Sequence, residues 1–186
     1  MLIHRIILKI STYFYKNILK ADSGFRCGRF LNFKGSSNFV IGKNVRFGNY
    51  GTLHAINKYK KQNFNPLIEI YDNVSIGDNF HISIINKLTF KKGVLMGFCV
   101  TIVDNSHGIV NDIFEDDTLE PAERKLYSKG PVLIGKNVWI GDKVTILPGV
   151  IIGDNCIVGF NSTVTKSFPK NSLIAGNPAK IISVKK

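Results

Sequence analysis

Among ionisable side chains, histidine titrates closest to neutral pH, so proton-transfer chemistry is sought first among the histidines. The chain has four: His4, His54, His81 and His107. His107 is set apart by its surroundings. The run T101-I-V-D-N-S-H-G-I109 opens as a strand and then breaks into a polar stretch from Asp104 to Gly108. An imidazole at such a break, with a carboxylate near enough to fix its tautomer, suits a general base. Asp104 is the first candidate for that carboxylate, with Glu115, Glu120 and Glu123 as the others. His81 and His107, the nearest pair of histidines, are 26 residues apart, so the closely spaced imidazoles of a zinc site are missing and no metal is expected. Cys27, Cys99 and Cys156 are equally scattered and read as free thiols in a reducing compartment.

The bulk composition narrows the class. At 186 residues with 44% hydrophobic residues, the chain is long enough for one domain with a real core, and neither disordered nor fibrous. Twenty-five Lys and Arg against 13 Asp and Glu leave a formal charge of +12, which calls for an anionic partner. No nucleic-acid-binding signature accompanies the charge, which is spread over turns, inserts and the N-terminal segment, so nucleic acid is not expected. No apolar run reaches transmembrane length, and residues 1–20 lack a signal-peptide core and cleavage site. The expected location is the cytoplasm.

The element that positions His107 is a repeat. From Val132 the sequence reads V-L-I-G-K-N, V-W-I-G-D-K, V-T-I-L-P-G, V-I-I-G-D-N, C-I-V-G-F-N. Every sixth residue is aliphatic (Ile134, Ile140, Ile146, Ile152, Val158, Val164), and Gly135, Gly141, Gly153 and Gly159 follow four of them. A second series of small residues runs Val138, Val144, Val150, Cys156, Ser162. Period six matches neither a helix nor a simple strand, and fits a short strand and a turn repeated. The glycines are expected at positive φ, where the chain bends. The stacked turns form a prism with the sixth-position aliphatics inside and coils about 4.8 Å apart. The beat recurs at Ile41, Phe47 and Leu53, at Ile70, Ile76 and Ile82, and at Phe90, Met96 and Ile102. It is interrupted by a basic insert over 55–65, a two-residue slip between Ile82 and Phe90, and an excursion over 106–130. Loops extruded from such a scaffold are places for function.

The run from Gly130 to Pro169, followed by A175-G-N-P-A-K180, resembles the hexapeptide-repeat acetyltransferases. More narrowly, it resembles the maltose/galactoside O-acetyltransferase kind and its relatives in surface-polysaccharide clusters. The resemblance covers residues from about 40 to the end. It implies an all-β fold, a left-handed parallel β-helix, assembled as a homotrimer with acetyl-CoA between subunits. The expected layout is an N-terminal amphipathic helix over 1–22, a β-helix over 36–168 with its inserted loop, and a tail over 169–186 completing the coenzyme site. By the same resemblance His107 is the general base. Trp139, Gly141 and Asp142 match the position beside the thioester, Gly159, Phe160, Thr165 and Lys166 the pantetheine and pyrophosphate contacts, and Pro178 and Lys180 the residues near adenine and 3′-phosphate. His81, Ser83 or Asn86 would position the acceptor from the coil beneath His107. His54 and His4 carry no assigned role.

In residues 2–20, Leu2, Ile3, Ile6, Ile7, Ile10, Tyr13, Phe14 and Ile18 share one helical face, with Arg5, Lys9, Lys16 and Lys20 on another. Such a helix either caps the open end of the prism or lies on an anionic membrane. The expected function is acetyl-CoA-dependent transfer to a sugar hydroxyl in surface-polysaccharide synthesis. The alternatives are N-acetylation of a sugar or nucleotide sugar, and a β-helical scaffold without catalysis.

Overall fold

The computed structural model describes residues 2–109 and 119–185, with side chains in the N-terminal helix from Ile6 onward. The six-residue beat is one face of a left-handed β-helix. Ile134, Ile140 and Ile146 lie on the third, first and second faces, and Ile152, Val158 and Val164 repeat that order one coil further on. Ile134 pairs in register with Ile152, Ile140 with Val158, and Ile146 with Val164. The looser N-terminal runs keep the same columns. Ile41, Ile70, Phe90 and Ile134 stack on the third face, Phe47, Ile76, Met96 and Ile140 on the first, and Leu53, Ile82, Ile102 and Ile146 on the second. All are buried, as are Val138, Val144, Val150, Cys156 and Ser162, which fill the corners between faces. Each fully buried aliphatic contributes about 1.5–3 kcal/mol through its removal from water.

The glycines serve a purpose other than the expected one. Positive φ falls instead on Asn137, Lys143, Gly149, Asn155 and Asn161, again six residues apart, where asparagine best tolerates the left-handed region among residues with a Cβ. Gly135 and Gly153 do not have positive φ, but a Cβ on Gly135 would stand 2.6 Å from Asp154 N, and one on Gly153 would stand 2.4 Å from Lys170 N. They are required because corners of successive coils press backbone on backbone. Beside them, Asp72, Asp78, Asp142 and Asp154 each accept the backbone N–H of Lys43, Asn49, Phe98 and Lys136 on the preceding coil, at 2.8–2.9 Å.

The slip after Ile82 bulges one corner, and Asp104 holds the bulge. Its Oδ1 accepts the Ile85 N–H at 2.8 Å, and its Oδ2 accepts those of Asn86 and Lys87 at 2.8 and 3.0 Å. Asp104 is fully buried. Burial pushes its carboxyl above the usual range, and the three backbone donors and Asn105 pull it part of the way back. Three convergent N–H groups form an anion nest, filled here by the chain's own carboxylate.

The coil starts with strand Arg26–Cys27, ahead of residue 36, and its first turn continues through Asn32–Lys34 to Phe39–Ile41. The helix Leu2–Ile18 lies over that first turn. The tail folds as an antiparallel pair, Ser172–Gly176 with Ala179–Val184, added to the first face. The basic insert is a hairpin of Lys58–Tyr59 and Gln62–Asn63.

Three outcomes are expected in thermal or denaturant unfolding. Gly135→Ala, which drives a methyl into backbone, should destabilise by about 1–3 kcal/mol. Asp104→Asn presents an amide N–H₂ to a backbone donor and should cost about 2 kcal/mol. His107→Ala should leave stability unchanged; an Asp104→Asn protein of unaltered stability would show that the carboxylate does not hold the corner.

Candidate active site

The strand Thr101–Val103 on the second face runs through Asp104 and Asn105 and then leaves the prism. Asn105 donates from Nδ2 to the Ser83 carbonyl at 2.8 Å, a last tie to the coil beneath. Ser106–His107 pairs antiparallel with Leu126–Tyr127, His107 opposite Leu126, and the Gly108 N–H donates to the Lys125 carbonyl at 2.8 Å. The excursion is thus closed at its base by a two-stranded ribbon, with His107 exposed upon it.

The insert hairpin fixes this ribbon from the side. The Gln62 carboxamide accepts from the Leu126 N–H at 2.7 Å and donates to the Leu126 carbonyl at 3.0 Å. The Tyr59 hydroxyl donates to the Ala122 carbonyl at 2.6 Å, and its oxygen lies 3.5 Å from His107 Nδ1. The two rings meet edge to face, 5.5 Å between centroids. Lys60 forms an ion pair with Glu123. Because the single hydroxyl proton of Tyr59 is directed at Ala122, its oxygen faces Nδ1 as an acceptor. A proton held on Nδ1 leaves Nε2 free to take another. At 3.5 Å the contact is long for a hydrogen bond, a common state of catalytic contacts before substrate binds.

Of the carboxylates expected to orient His107, Asp104 has both oxygens engaged by the corner at 85–87. Glu123 pairs with Lys60, Glu120 is exposed, and Glu115 lies outside the described residues. Among the described residues the side chain at the imidazole is Tyr59, which sequence reasoning missed together with Gln62. The insert was marked as functional, but only the fold brings position 59 to position 107.

His81, Ser83 and Asn86 divide. His81, exposed, and Ser83, half-buried, sit in the outward rows of the second face, and Asn86 is exposed on the bulged corner with its backbone N–H on Asp104. None has a hydrogen bond to His107 among those described, although Ser83 is tied through its carbonyl to Asn105. His54 stands between Lys34 and Ser83 in one outward row. Its Nε2 is buried without a partner, and burial first, then Lys34 and His81, hold its pKa below the usual value. Its charged form is disfavoured by these surroundings.

At the base of the ribbon a cleft of about 670 Å³ is lined by Asn105, Ser106, Gly108, Tyr127, Leu147 and Thr165, the chain neighbours of His107 among them but not the imidazole itself. Lys166 is exposed next to Thr165, its Nζ 6.0 Å from the Phe168 ring centroid. The other expected coenzyme residues lie elsewhere. Trp139 and Phe160, both half-exposed on or beside the first face, meet edge to face at 6.1 Å and line a groove with Leu95, Phe98 and Arg46. Gly141 and Gly159 are corner glycines there, and the Asp142 carboxylate is the corner clamp on Phe98. Pro178 and Lys180 are exposed on the tail hairpin of that face. The residues expected at the coenzyme therefore fall into two groups, one at Thr165 and Lys166, the other at Trp139 and Phe160.

The sequence matches the family model described as bacterial transferase hexapeptide (six repeats) over residues 131–166. It is 35% identical over 177 residues to WbbJ of Escherichia coli (strain K12), a protein assigned to lipopolysaccharide-biosynthesis O-acetyl transfer, covering 93% of this chain and 82% of that one. It is 39% identical over 113 residues to the galactoside O-acetyltransferase of the same strain, covering 58% of this chain and 55% of that one. Among solved structures, AntD, an N-acyltransferase from Bacillus cereus in complex with dTDP and 3-hydroxybutyryl-CoA, superposes with a TM-score of 0.75 at 17% identity, covering 94% of this chain and 87% of that one. A hexapeptide-repeat acetyltransferase from Vibrio cholerae, complexed with acetyl-CoA, gives 0.58 at 22% identity, covering 92% and 76%. At these identities the structural likeness speaks for the coil alone. With the repeat matched and a 35%-identical relative aligned along most of both chains, the protein belongs to the bacterial transferase hexapeptide family and is an acyltransferase.

Proposed function

We propose that the protein transfers an acetyl group from acetyl-CoA to a sugar hydroxyl in surface-polysaccharide synthesis, with His107 as general base. The observation that carries this reading is the placement of His107: exposed on a fixed ribbon, with an acceptor oxygen of Tyr59 at Nδ1. The 35%-identical relative assigned to lipopolysaccharide O-acetyl transfer supports the acceptor class.

The chemistry needs a base, donors for the developing oxyanion, and two substrates held in line. Nε2 takes the proton as the sugar oxygen attacks the thioester carbon, and the C–S bond breaks once the C–O bond has formed. The proton then returns from the imidazole to the departing thiolate, so none is lost or gained. Tyr59 keeps Nδ1 as the protonated nitrogen. Asp104 acts one step removed, locking the corner and the start of the ribbon, with no contact to substrate. His81, Ser83 and Asn86 are proposed to meet the acceptor from the coil beneath.

Acetyl-CoA is proposed to lie along Trp139, Phe160 and the corner at Gly141, Asp142 and Gly159, with Lys180 and Pro178 toward its nucleotide end. Thr165 and Lys166 belong to the group at the base of the ribbon. The two groups lie on different sides of one prism, so a cleft that uses both is made from two copies, in keeping with a homotrimer.

Release of free thiol from acetyl-CoA, followed with free sugars, nucleotide sugars and lipid-linked sugars as acceptors, tests the proposal. The expected result is an ester product, with His107→Ala slowing kcat by about 10²–10⁴-fold. Products acetylated only on amines would replace the acceptor class, and full activity in His107→Ala would remove the base. Tyr59→Phe, which deletes the acceptor at Nδ1, should lower kcat about tenfold while KM for acetyl-CoA stays unchanged. An unaltered kcat would show that Tyr59 is a packing residue only.

A further inference from the structure

The N-terminal helix caps the first coil with its less apolar side. Ser11 Oγ donates to the Gly28 carbonyl at 2.6 Å, the Cys27 N–H donates to Thr12 Oγ1 at 3.2 Å, and the Tyr15 hydroxyl donates to the Leu31 carbonyl at 2.8 Å. Leu8, partly buried, and Leu19, fully buried just past the helix, complete one stripe at positions 8, 11, 12, 15 and 19. The opposite stripe consists of Ile6, Ile7, Ile10, Tyr13, Phe14 and Ile18, with Ile10 64%, Tyr13 73% and Phe14 57% exposed. A surface helix ordinarily turns its apolar stripe toward the core. Here the orientation is reversed: polar side chains dock to backbone, and the large apolar ones face outward as a contiguous patch, which marks an interaction surface.

Charge says what covers it. Lys9 and Lys16 share a helical side along one edge of the apolar stripe, and Lys20 follows in the turn after the helix. Lys9 and Lys16 also line, with Arg26, Arg46 and Tyr13, a cleft of about 660 Å³ between the helix and the first face. No acidic residue lines that cleft, and none precedes Asp22 in the chain. A second copy meeting this patch with its own would bring these cations against their like. No helix among the described residues is long and apolar enough to cross a membrane.

We propose that the capping helix is an interfacial anchor, laying Ile6, Ile10, Phe14 and their neighbours into one leaflet of an anionic membrane while Lys9, Lys16, Arg26 and Arg46 meet the phospholipid phosphates. This is the pairing of apolar area and basic edge that holds amphipathic helices at charged bilayers. The helix thus serves as both cap and anchor, through opposite faces, and holds the enzyme where a lipid-carried acceptor would be found. The anchoring does not depend on the proposed reaction, so either can fail alone.

The full chain is sedimented with vesicles of phosphatidylglycerol and phosphatidylcholine, and with phosphatidylcholine alone, at 0.1 and 0.5 M NaCl. Binding is expected on the anionic vesicles and to weaken at the higher salt, where exposed charges are screened. The double variant Ile10→Ser/Phe14→Ser should partition at least about tenfold less, with unchanged unfolding temperature and oligomeric mass. Lys9→Gln/Lys16→Gln, which leaves the apolar stripe intact, should lose the preference for anionic lipid. Equal binding of the serine variant, equal binding to both vesicle types, or a fall in oligomeric mass of the serine variant without lipid would each overturn the anchor, the last by showing that the stripe joins copies of the chain.

Discussion

The structure depends on backbone pressing against backbone at the corners of the coil. Gly135 and Gly153 allow it, since a single methyl at either would reach the chain of the next turn. Corner aspartates add a second constraint, each accepting an N–H on the coil before it. Together they set the spacing of the turns, and the spacing lets Ile134 fall directly on Ile152 and Ile140 on Val158. Burial drives the stack together, while the corners decide its register. A scaffold fixed in this way moves little, which suits chemistry that relies on holding groups in line.

The same rigidity explains how irregularities are used. Each departure from the beat leaves at a corner, and each is pinned. The two extra residues after Ile82 point three N–H groups at Asp104, and Asp104 stands three residues before His107. The hairpin at 58–63 reaches across to hold Leu126 through Gln62 and approaches the imidazole through Tyr59. The exposed imidazole is thus approached by a part that leaves the prism two coils earlier, and the side chain at its Nδ1 is the Tyr59 hydroxyl in place of a carboxylate.

How far the sequence revealed this varies with the range of the interaction involved. Ile134 to Val164 announce the coil because their period is local, and His107 announces itself because the period stops there. The first turn, with Cys27 and Phe33 in place of aliphatics and Gly28 alone at a repeat-glycine position, carries only a faint mark, so the coil begins earlier than expected. Asp104 next to a histidine reads as its partner, and no local pattern shows that its oxygens face a corner one coil away. Tyr59 is more distant still: 48 residues separate it from His107, and the contact exists only after both insertions have folded against each other. The repeat glycines stand where a Cβ would meet the next coil, since a period marks where side chains are intolerable and does not say whether torsion or proximity forbids them.

The ribbon between Ser106–His107 and Leu126–Tyr127 has a consequence for the diversification of such proteins. It brings the two ends of the excursion together at one point of the prism, so the coil never registers how long the intervening segment is. Among such proteins that stretch can differ in length or chemistry while the His107 imidazole keeps its place at the base of the ribbon. New contacts can thus be acquired by exchanging one stretch of chain, with the prism beneath it left as it is.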